Sequence, residues 1–177
     1  MSDLFAISKT KIERRIEECR KAFLQRFVNN NLGLRHINRG DIIANTIEIA
    51  KALLIEYEED PLILIFDGTY IFHEKSGNFR FQRNTYSGQK KRQLWKPLLC
   101  VTSVCYILEA FGPYPAHVND VSIMQHVFSN SENRSIFAEG DILVLDRGFR
   151  DIRRPLEASR LKVYMPACVP GNRQLSW

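Results

Sequence analysis

Two aspartates in this sequence each follow an uninterrupted run of apolar residues. Asp67 follows the run 62–66, and Asp146 follows the run 142–145. Such runs are typical of central strands covered on both faces, so each carboxylate is expected at the rim of a sheet. Carboxylate oxygens are the hard ligands that Mg²⁺ requires, and two metal ions ~3.5–4 Å apart suit phosphodiester chemistry. Either aspartate alone could simply mark a strand end before a turn, but the pair in a basic chain favours a metal site.

The charge of the chain is unevenly distributed. The 177 residues carry a formal net charge of +5, and 45% of them are hydrophobic, which is ordinary for a globular domain. No acidic residue occurs from Lys75 to Leu108, a stretch that carries both basic and aromatic residues. They include Lys75, Arg80, Arg83, Lys90, Lys91, Arg92 and Lys96, with Phe79, Phe81, Tyr86 and Trp95. This composition predicts a surface that faces a polyanion, although a solvated lysine-rich loop would look the same.

The cysteines and histidines exclude several other classes of site. Cys19, Cys100, Cys105 and Cys168 lack C-x-x-C spacing, and we expect Cys100 and Cys105 to be small core residues. This usage is typical of a reducing compartment. The histidines are not arranged with a Ser or Cys for nucleophilic catalysis, and no glycine-rich phosphate loop is present. The N-terminus has no signal-peptide core, and no apolar run approaches the ~20 residues that would span a membrane.

The first 57 residues have a helical pattern. Thr10 and Glu13 form a plausible capping box for a first helix, which carries apolar residues at helical spacing: Ile12, Ile16, Cys19, Phe23 and Phe27. It is either an amphipathic packing helix or part of a helix-turn-helix that reads DNA. We expect Asp41 to cap a second helix, whose buried face would hold Ile43, Ile47, Ala50, Leu53, Leu54 and Tyr57.

From Leu62 the pattern changes to strands. After the strand that ends at Asp67, residues 70–73 and 79–81 are expected to form a hairpin, followed by a basic loop at 87–92. Residues 98–104 and 106–111 predict two further strands. Asn119 or Asp120 can cap a helix that carries Ile123, Met124, Val127 and Phe128. The strand before Asp146, a helix near 151–161 and a short strand at 163–165 complete the order.

This element order, with an aspartate after the first strand and another after the fourth, is that of a ribonuclease H-like nuclease core. Three blocks make the comparison more specific: Asp67-Gly68-Thr69-Tyr70, then Gly112-Pro113-Tyr114 leading to Asn119-Asp120, then Leu145-Asp146-Arg147-Gly148-Phe149. Over residues 62–166 the chain resembles the DDE superfamily endonucleases, the Harbinger-type transposases and host proteins derived from them. The resemblance implies an α/β fold with a mixed ribonuclease H-like sheet.

The resemblance also implies roles for individual residues. Asp67 and Asp146 correspond to catalytic metal ligands, and Asp120 corresponds to a further acidic residue that is often assigned to the metal site. A helix N-cap would account for Asp120 equally well. The implied cofactor is Mg²⁺ or Mn²⁺. Arg147, beside the second aspartate, could bind a phosphate or face solvent.

The chain departs from the family pattern at its C-terminal end. The family's last acidic residue lies on a helix after the fifth strand, but no acidic residue follows Glu157 here. Glu157 precedes that strand, and Glu139 and Asp141 lie at the far end of the fourth strand. The sequence therefore looks truncated before the last catalytic acid, and we expect this chain to bind metal weakly and cleave DNA poorly or not at all.

The sequence thus predicts a helical segment over residues 1–60 and an incomplete DDE-type nuclease domain over 61–177. The expected function is a metal-dependent endonuclease or transposase-derived protein that cleaves or transfers phosphodiester bonds in DNA. Lys90, Lys91, Arg92 and Lys96 would contact the DNA backbone. The alternatives are a catalytically inactive DNA-binding protein and an unrelated metabolic α/β domain. The expected location is the nucleus, or the nucleus and the cytoplasm, with a homo-oligomer or an accessory DNA-binding protein as partner.

Overall fold

The computed structural model describes residues 7–56 and 60–166, which form helices around one mixed sheet. The strands are β1 (Ile63–Gly68), β2 (Ile71–Phe72), β3 (Tyr86–Ser87), β4 (Arg92–Thr102), β5 (Ile107–Pro115), β6 (Ile142–Leu145) and β7 (Lys162–Tyr164). The helices are α1 (Lys9–Phe23), α2 (Arg39–Ala44), α3 (Glu48–Leu54), α4 (Phe79–Thr85), α5 (Asp120–Ser129), α6 (Ser131–Arg134) and α7 (Arg153–Ala158). A wider helical turn, Leu24–Val28, and the turn Asn29–Asn31 extend α1, and a 3₁₀ segment, Arg147–Ile152, precedes α7.

The two apolar runs form the centre of the sheet. The five principal strands lie in the order β5-β4-β1-β6-β7, with β4 antiparallel to both β5 and β1, and with β1, β6 and β7 parallel. Leu64 and Phe66 of β1 and Leu143 and Leu145 of β6 are buried in the core. The prediction of two central strands, and of an α/β fold with a ribonuclease H-like core behind an N-terminal helical segment, is confirmed.

Helix α5 follows its prediction closely. Asn119 is the N-cap, since its side-chain oxygen accepts a hydrogen bond from the Ser122 N–H at 2.7 Å. Ile123, Met124 and Val127 are buried against the core. The helix also packs on the 3₁₀ segment after β6, where Phe149 and Ile152 are buried. The start of α5, which carries Asp120, is therefore held next to the segment that begins at Asp146.

The N-terminal helices differ from the prediction in two ways. The second helix is two short ones: α2, capped by Asn38 instead of Asp41, and α3, in which Leu53 is exposed. The predicted buried residue Tyr57 lies outside the described residues. Along α1 the residues Lys9–Phe23 include no buried one, so the predicted apolar face faces solvent. The helix-turn-helix reading and the division at residue 60 stay predictions.

The segment after β1 was partly mispredicted. Residues 79–81 begin helix α4 instead of a strand, because Asn78 caps it by accepting a hydrogen bond from the Phe81 N–H at 3.0 Å. Strand β4 begins at Arg92, six residues before the predicted start. Cys100 is buried, and burial raises the pKa of its thiol. Cys105, predicted to be a core residue, is exposed in the β4–β5 turn with a φ of 62°.

Candidate functional site

Asp67 and Asp146 lie side by side at one edge of the sheet. Their predecessors Phe66 and Leu145 are register partners in the parallel pair β1–β6. Neighbouring strands run about 4.8 Å apart, so the backbones of the two aspartates are held at about that spacing. Both aspartates are exposed. The Oδ1 of Asp146 accepts a hydrogen bond from the Arg147 N–H at 2.5 Å and caps the 3₁₀ segment.

Asp120 joins this edge from the start of α5. A Cβ atom placed on Gly148 would lie 3.0 Å from Oδ2 of Asp120 and 3.9 Å from Oδ2 of Asp146. One on Gly68 would lie 3.6 Å from Oδ1 of Asp120. The Asp120 carboxylate therefore sits between the glycines that follow the two strand-end aspartates, where a larger residue in place of Gly148 would crowd it. We call Asp67, Asp120 and Asp146 the aspartate edge.

Asp120 does not act as the helix cap. Asn119 fills that role, as described above, and the Asp120 carboxylate instead forms an ion pair with Lys96 of β4. The distance from Lys96 Nζ to Asp120 Oδ1 is 2.5 Å. Of the two explanations that the sequence left open for Asp120, the N-cap is excluded by this arrangement. Lys96 itself was not expected at the aspartate edge.

Three of the four predicted DNA contacts lie together on the surface. Lys90, Lys91 and Arg92 are exposed in the hairpin that joins β3 to β4, and we call them the basic hairpin. The Lys90 ammonium lies 5.1 Å from the centre of the Tyr70 ring, and the Arg92 guanidinium lies 4.6 Å from that of Phe72. Tyr70 follows Asp67 by three residues, at most ~11 Å of chain. The basic hairpin therefore packs against the segment of chain that directly follows Asp67.

The other acidic residues considered from the sequence lie elsewhere. Asp141 is buried before β6 and forms an ion pair with Arg39. Glu139 pairs with Arg160 on the surface, and Glu157 with Arg153. No acidic residue follows Glu157 in the sequence, and residues 167–177, which come after β7, lie outside the described part of the chain. His117, three residues before Asp120, is exposed.

A model of the DDE superfamily endonuclease family matches residues 66–177, more than half of the chain. The protein belongs to this family. No curated protein and no solved structure gave a match to the chain. The matched region begins at the last buried residue of β1 and contains all three residues of the aspartate edge. For a DDE endonuclease, DNA is the implied substrate, and members of the superfamily generally use divalent metals.

The residues of the aspartate edge fit a divalent metal in chemistry but not in arrangement. The aspartate edge offers anionic oxygens, the ligands that Mg²⁺ and Mn²⁺ prefer. Within residues 7–56 and 60–166, however, no group of three or more His, Cys, Asp or Glu side chains is placed to hold an ion. One Asp120 oxygen is engaged by Lys96, and one Asp146 oxygen by a backbone N–H.

Within residues 7–56 and 60–166, no helix is both long and apolar enough to cross a membrane.

Proposed function

We propose that the protein is a transposase-derived endonuclease of Harbinger type that cleaves DNA with Mg²⁺ or Mn²⁺. The observation that carries the proposal is the aspartate edge: Asp67 and Asp146 end adjacent parallel strands, and Asp120 lies against the glycine that follows Asp146 by two residues. Rigid strand ends suit a site whose geometry must be kept, because a misplacement of ~1 Å can cost about 10²-fold in rate.

Asp67 and Asp146 would hold the metal, with Asp120 in support. When bound, the metal would neutralise charge on the phosphodiester and activate the attacking water or DNA 3′-hydroxyl. The protein itself would position the carboxylates. The buried strands β1 and β6 fix the backbones of the two aspartates, and the cap that Asp146 forms with the Arg147 N–H orients its carboxylate.

The basic hairpin would bind the phosphates beside the cleavage position. Its three cations are exposed, and two of them rest on aromatic rings that follow Asp67 closely in the chain. An exposed cation–π contact is worth only about 0.5–1 kcal/mol. The side chains of Lys90 and Arg92 can therefore leave their rings for a phosphate at little cost. Lys96 is a weaker candidate for this role because its side chain is only 10% exposed.

Nicking of supercoiled plasmid tests the proposed activity, since a single break per molecule changes its mobility. The purified chain with Mg²⁺ or Mn²⁺ should convert plasmid to the open circle only slowly, because no acidic residue follows Glu157, and chelation of the metal should stop the reaction. If plasmid is bound but stays intact with either metal, the second function applies: a DNA-binding protein derived from a transposase that has lost cleavage. The absence of a three-ligand group among the described residues favours that alternative.

Removal of one strand-end carboxylate should abolish Mn²⁺ binding. Asp67 is exposed, so Asp67→Asn should change the free energy of unfolding by no more than about 0.5 kcal/mol while it removes an anionic ligand. Calorimetric titration of Mn²⁺ into the wild type and the variant measures the effect. Asp60→Asn, also exposed and at the opposite end of β1, is the matched control and should bind like the wild type. Equal affinity of Asp67→Asn and wild type would remove Asp67 from the metal site.

The DNA contacts of the basic hairpin should appear in the salt dependence of binding. Each neutralised phosphate contributes about −0.9 to the slope of log affinity against log salt. Replacing Lys90, Lys91 and Arg92 together by alanine should therefore make the slope about 2.7 units less negative. Fluorescence anisotropy with a labelled duplex at several salt concentrations gives both slopes.

Three exposed arginines remote from the aspartate edge provide the matched control for charge. Arg35, Arg134 and Arg160 lie near the far end of the sheet, and their joint replacement by alanine removes the same net charge. That variant should keep nearly the wild-type slope. If both triple variants flatten the slope equally, the basic hairpin is not a local DNA contact and net charge alone explains binding.

A further inference from the structure

Lys96 occupies a core-facing position of β4. Every second residue around it, Leu94, Leu98 and Cys100, is buried, and its own side chain is 10% exposed. Lysine is rarely buried unless its ammonium is paired, because a charge loses its hydration there. The Lys96 ammonium therefore needs hydrogen-bond or ion-pair partners, and we infer the role of Lys96 from the groups that it contacts.

Both partners of Lys96 belong to the start of α5. Its Nζ lies 2.5 Å from Asp120 Oδ1 and donates a hydrogen bond to the Val118 carbonyl at 2.9 Å. The two contacts anchor the segment 118–120 to β4. Since Asn119 caps the helix, Asp120 has no capping bond to hold its carboxylate. Lys96 holds one oxygen of this side chain.

The two oxygens of Asp120 face different neighbours. Oδ1 is held by Lys96, and Oδ2 is the oxygen directed to Gly148, on the side of Asp146 Oδ2. We propose that Lys96 is a positioning residue that binds one oxygen of Asp120 and thereby presents the other to Asp146, which completes the carboxylate set of the metal site. This inference rests on the proposed function, because it gives Asp120 its orientation for the same metal.

The proposal predicts a loss of metal affinity when Lys96 is replaced. Hydrogen-bond partners of metal ligands typically contribute roughly 10–100-fold to metal affinity, because they orient the ligand. Lys96→Met keeps the length of the apolar stem and removes the ammonium, so it should weaken Mn²⁺ binding by roughly that factor. An ammonium that merely competed with the metal for Asp120 would give the opposite sign, and the variant would then bind Mn²⁺ more tightly.

The decisive experiment compares two backgrounds. Mn²⁺ affinity is measured by water proton relaxation, which detects weak binding, for the wild type, Lys96→Met, Asp120→Asn and the double variant. Lys96→Met should weaken binding in the wild-type background and have no further effect when Asp120 is already replaced. A tighter or unchanged affinity in Lys96→Met, or an equal loss in both backgrounds, would overturn the proposal. Thermal unfolding of each variant shows that it is folded.

The outcomes separate this proposal from the proposed function. A wild type that binds Mn²⁺ while Lys96→Met binds it equally well contradicts the role of Lys96 alone. A wild type that binds no Mn²⁺ contradicts both. If Lys96→Met does not fold, Lys96→Leu, which also removes the ammonium, is compared in the same two backgrounds. A loss of Mn²⁺ affinity confined to the background that retains Asp120 supports the proposal, and equal losses in both backgrounds contradict it.

Discussion

Replacement of Asp141 by alanine should lower the free energy of unfolding by about 3–5 kcal/mol. The carboxylate is 1% exposed and accepts hydrogen bonds from Arg39 at 2.5 and 2.7 Å. It also accepts the N–H groups of Leu62 at 2.9 Å and Ala138 at 2.7 Å. Without it, the Arg39 guanidinium loses its counter-ion and two N–H groups lose their acceptor. Because small domains are stable by only about 5–15 kcal/mol, urea unfolding should show a marked loss.

Glu139 provides the matched control for this experiment. It forms the same kind of ion pair two residues away, with Arg160 at 2.6 Å, but both side chains are about two-thirds or more exposed. Surface ion pairs contribute about 0–1 kcal/mol, so Glu139→Ala should unfold close to the wild-type midpoint. Equal stability of the two variants would contradict the prediction that the buried Arg39–Asp141 pair stabilises the contact between α2 and the sheet. The hydrogen bond to Asp141 also raises the pKa of Arg39.

The centre of the fold was readable from the sequence because burial there is continuous. The runs before Asp67 and Asp146 form β1 and β6, and a residue that directly follows a buried strand has to lie at the rim of the sheet. The position of the two aspartates side by side then followed from parallel pairing. The family match over 66–177 supports the same region.

Helix α1 shows what periodicity leaves open. Its apolar spacing predicted a helix correctly, but Ile16, Phe23 and Phe27 are each more than half exposed. A periodic pattern indicates that a helix has an apolar face, but it does not indicate whether another part of the protein covers that face. The exposed turn position of Cys105 has a similar cause: its apolar neighbours suggested a core residue, whereas the β4–β5 connection places it at positive φ.

The contact between Lys96 and Asp120 could not be predicted, because it joins two segments that are distant in sequence. Lys96 was grouped with the basic hairpin by composition, since 87–92 was expected to be a loop and β4 was expected to begin at 98. Once β4 is known to begin at Arg92, Lys96 falls on the same alternating positions as Leu94 and Leu98. A lysine within that alternation is the signal that could have identified a buried ion pair.

Asp146→Asn should reduce metal-dependent plasmid nicking by about 10²-fold or more, because phosphodiester chemistry needs the ions held in register. The substitution is well suited to separate chemistry from folding. Asp146 caps the 3₁₀ segment through Oδ1, and asparagine caps as well as aspartate does. The variant therefore keeps the local structure and loses only the negative charge. Rates of open-circle formation at saturating Mn²⁺ measure the effect.

Asp151→Asn is the control, because it removes the same charge from the same segment at a side chain that is 74% exposed and paired with Arg150 at 3.5 Å. Its nicking rate should stay within about twofold of the wild type, since surface substitutions away from a site change little. Equal nicking by Asp146→Asn and the wild type would remove Asp146 from the chemistry. An equal loss in both variants would instead indicate that the charge of the segment, and not a ligand at the strand end, supports cleavage. Loss in Asp146→Asn alone assigns the reaction to the aspartate edge.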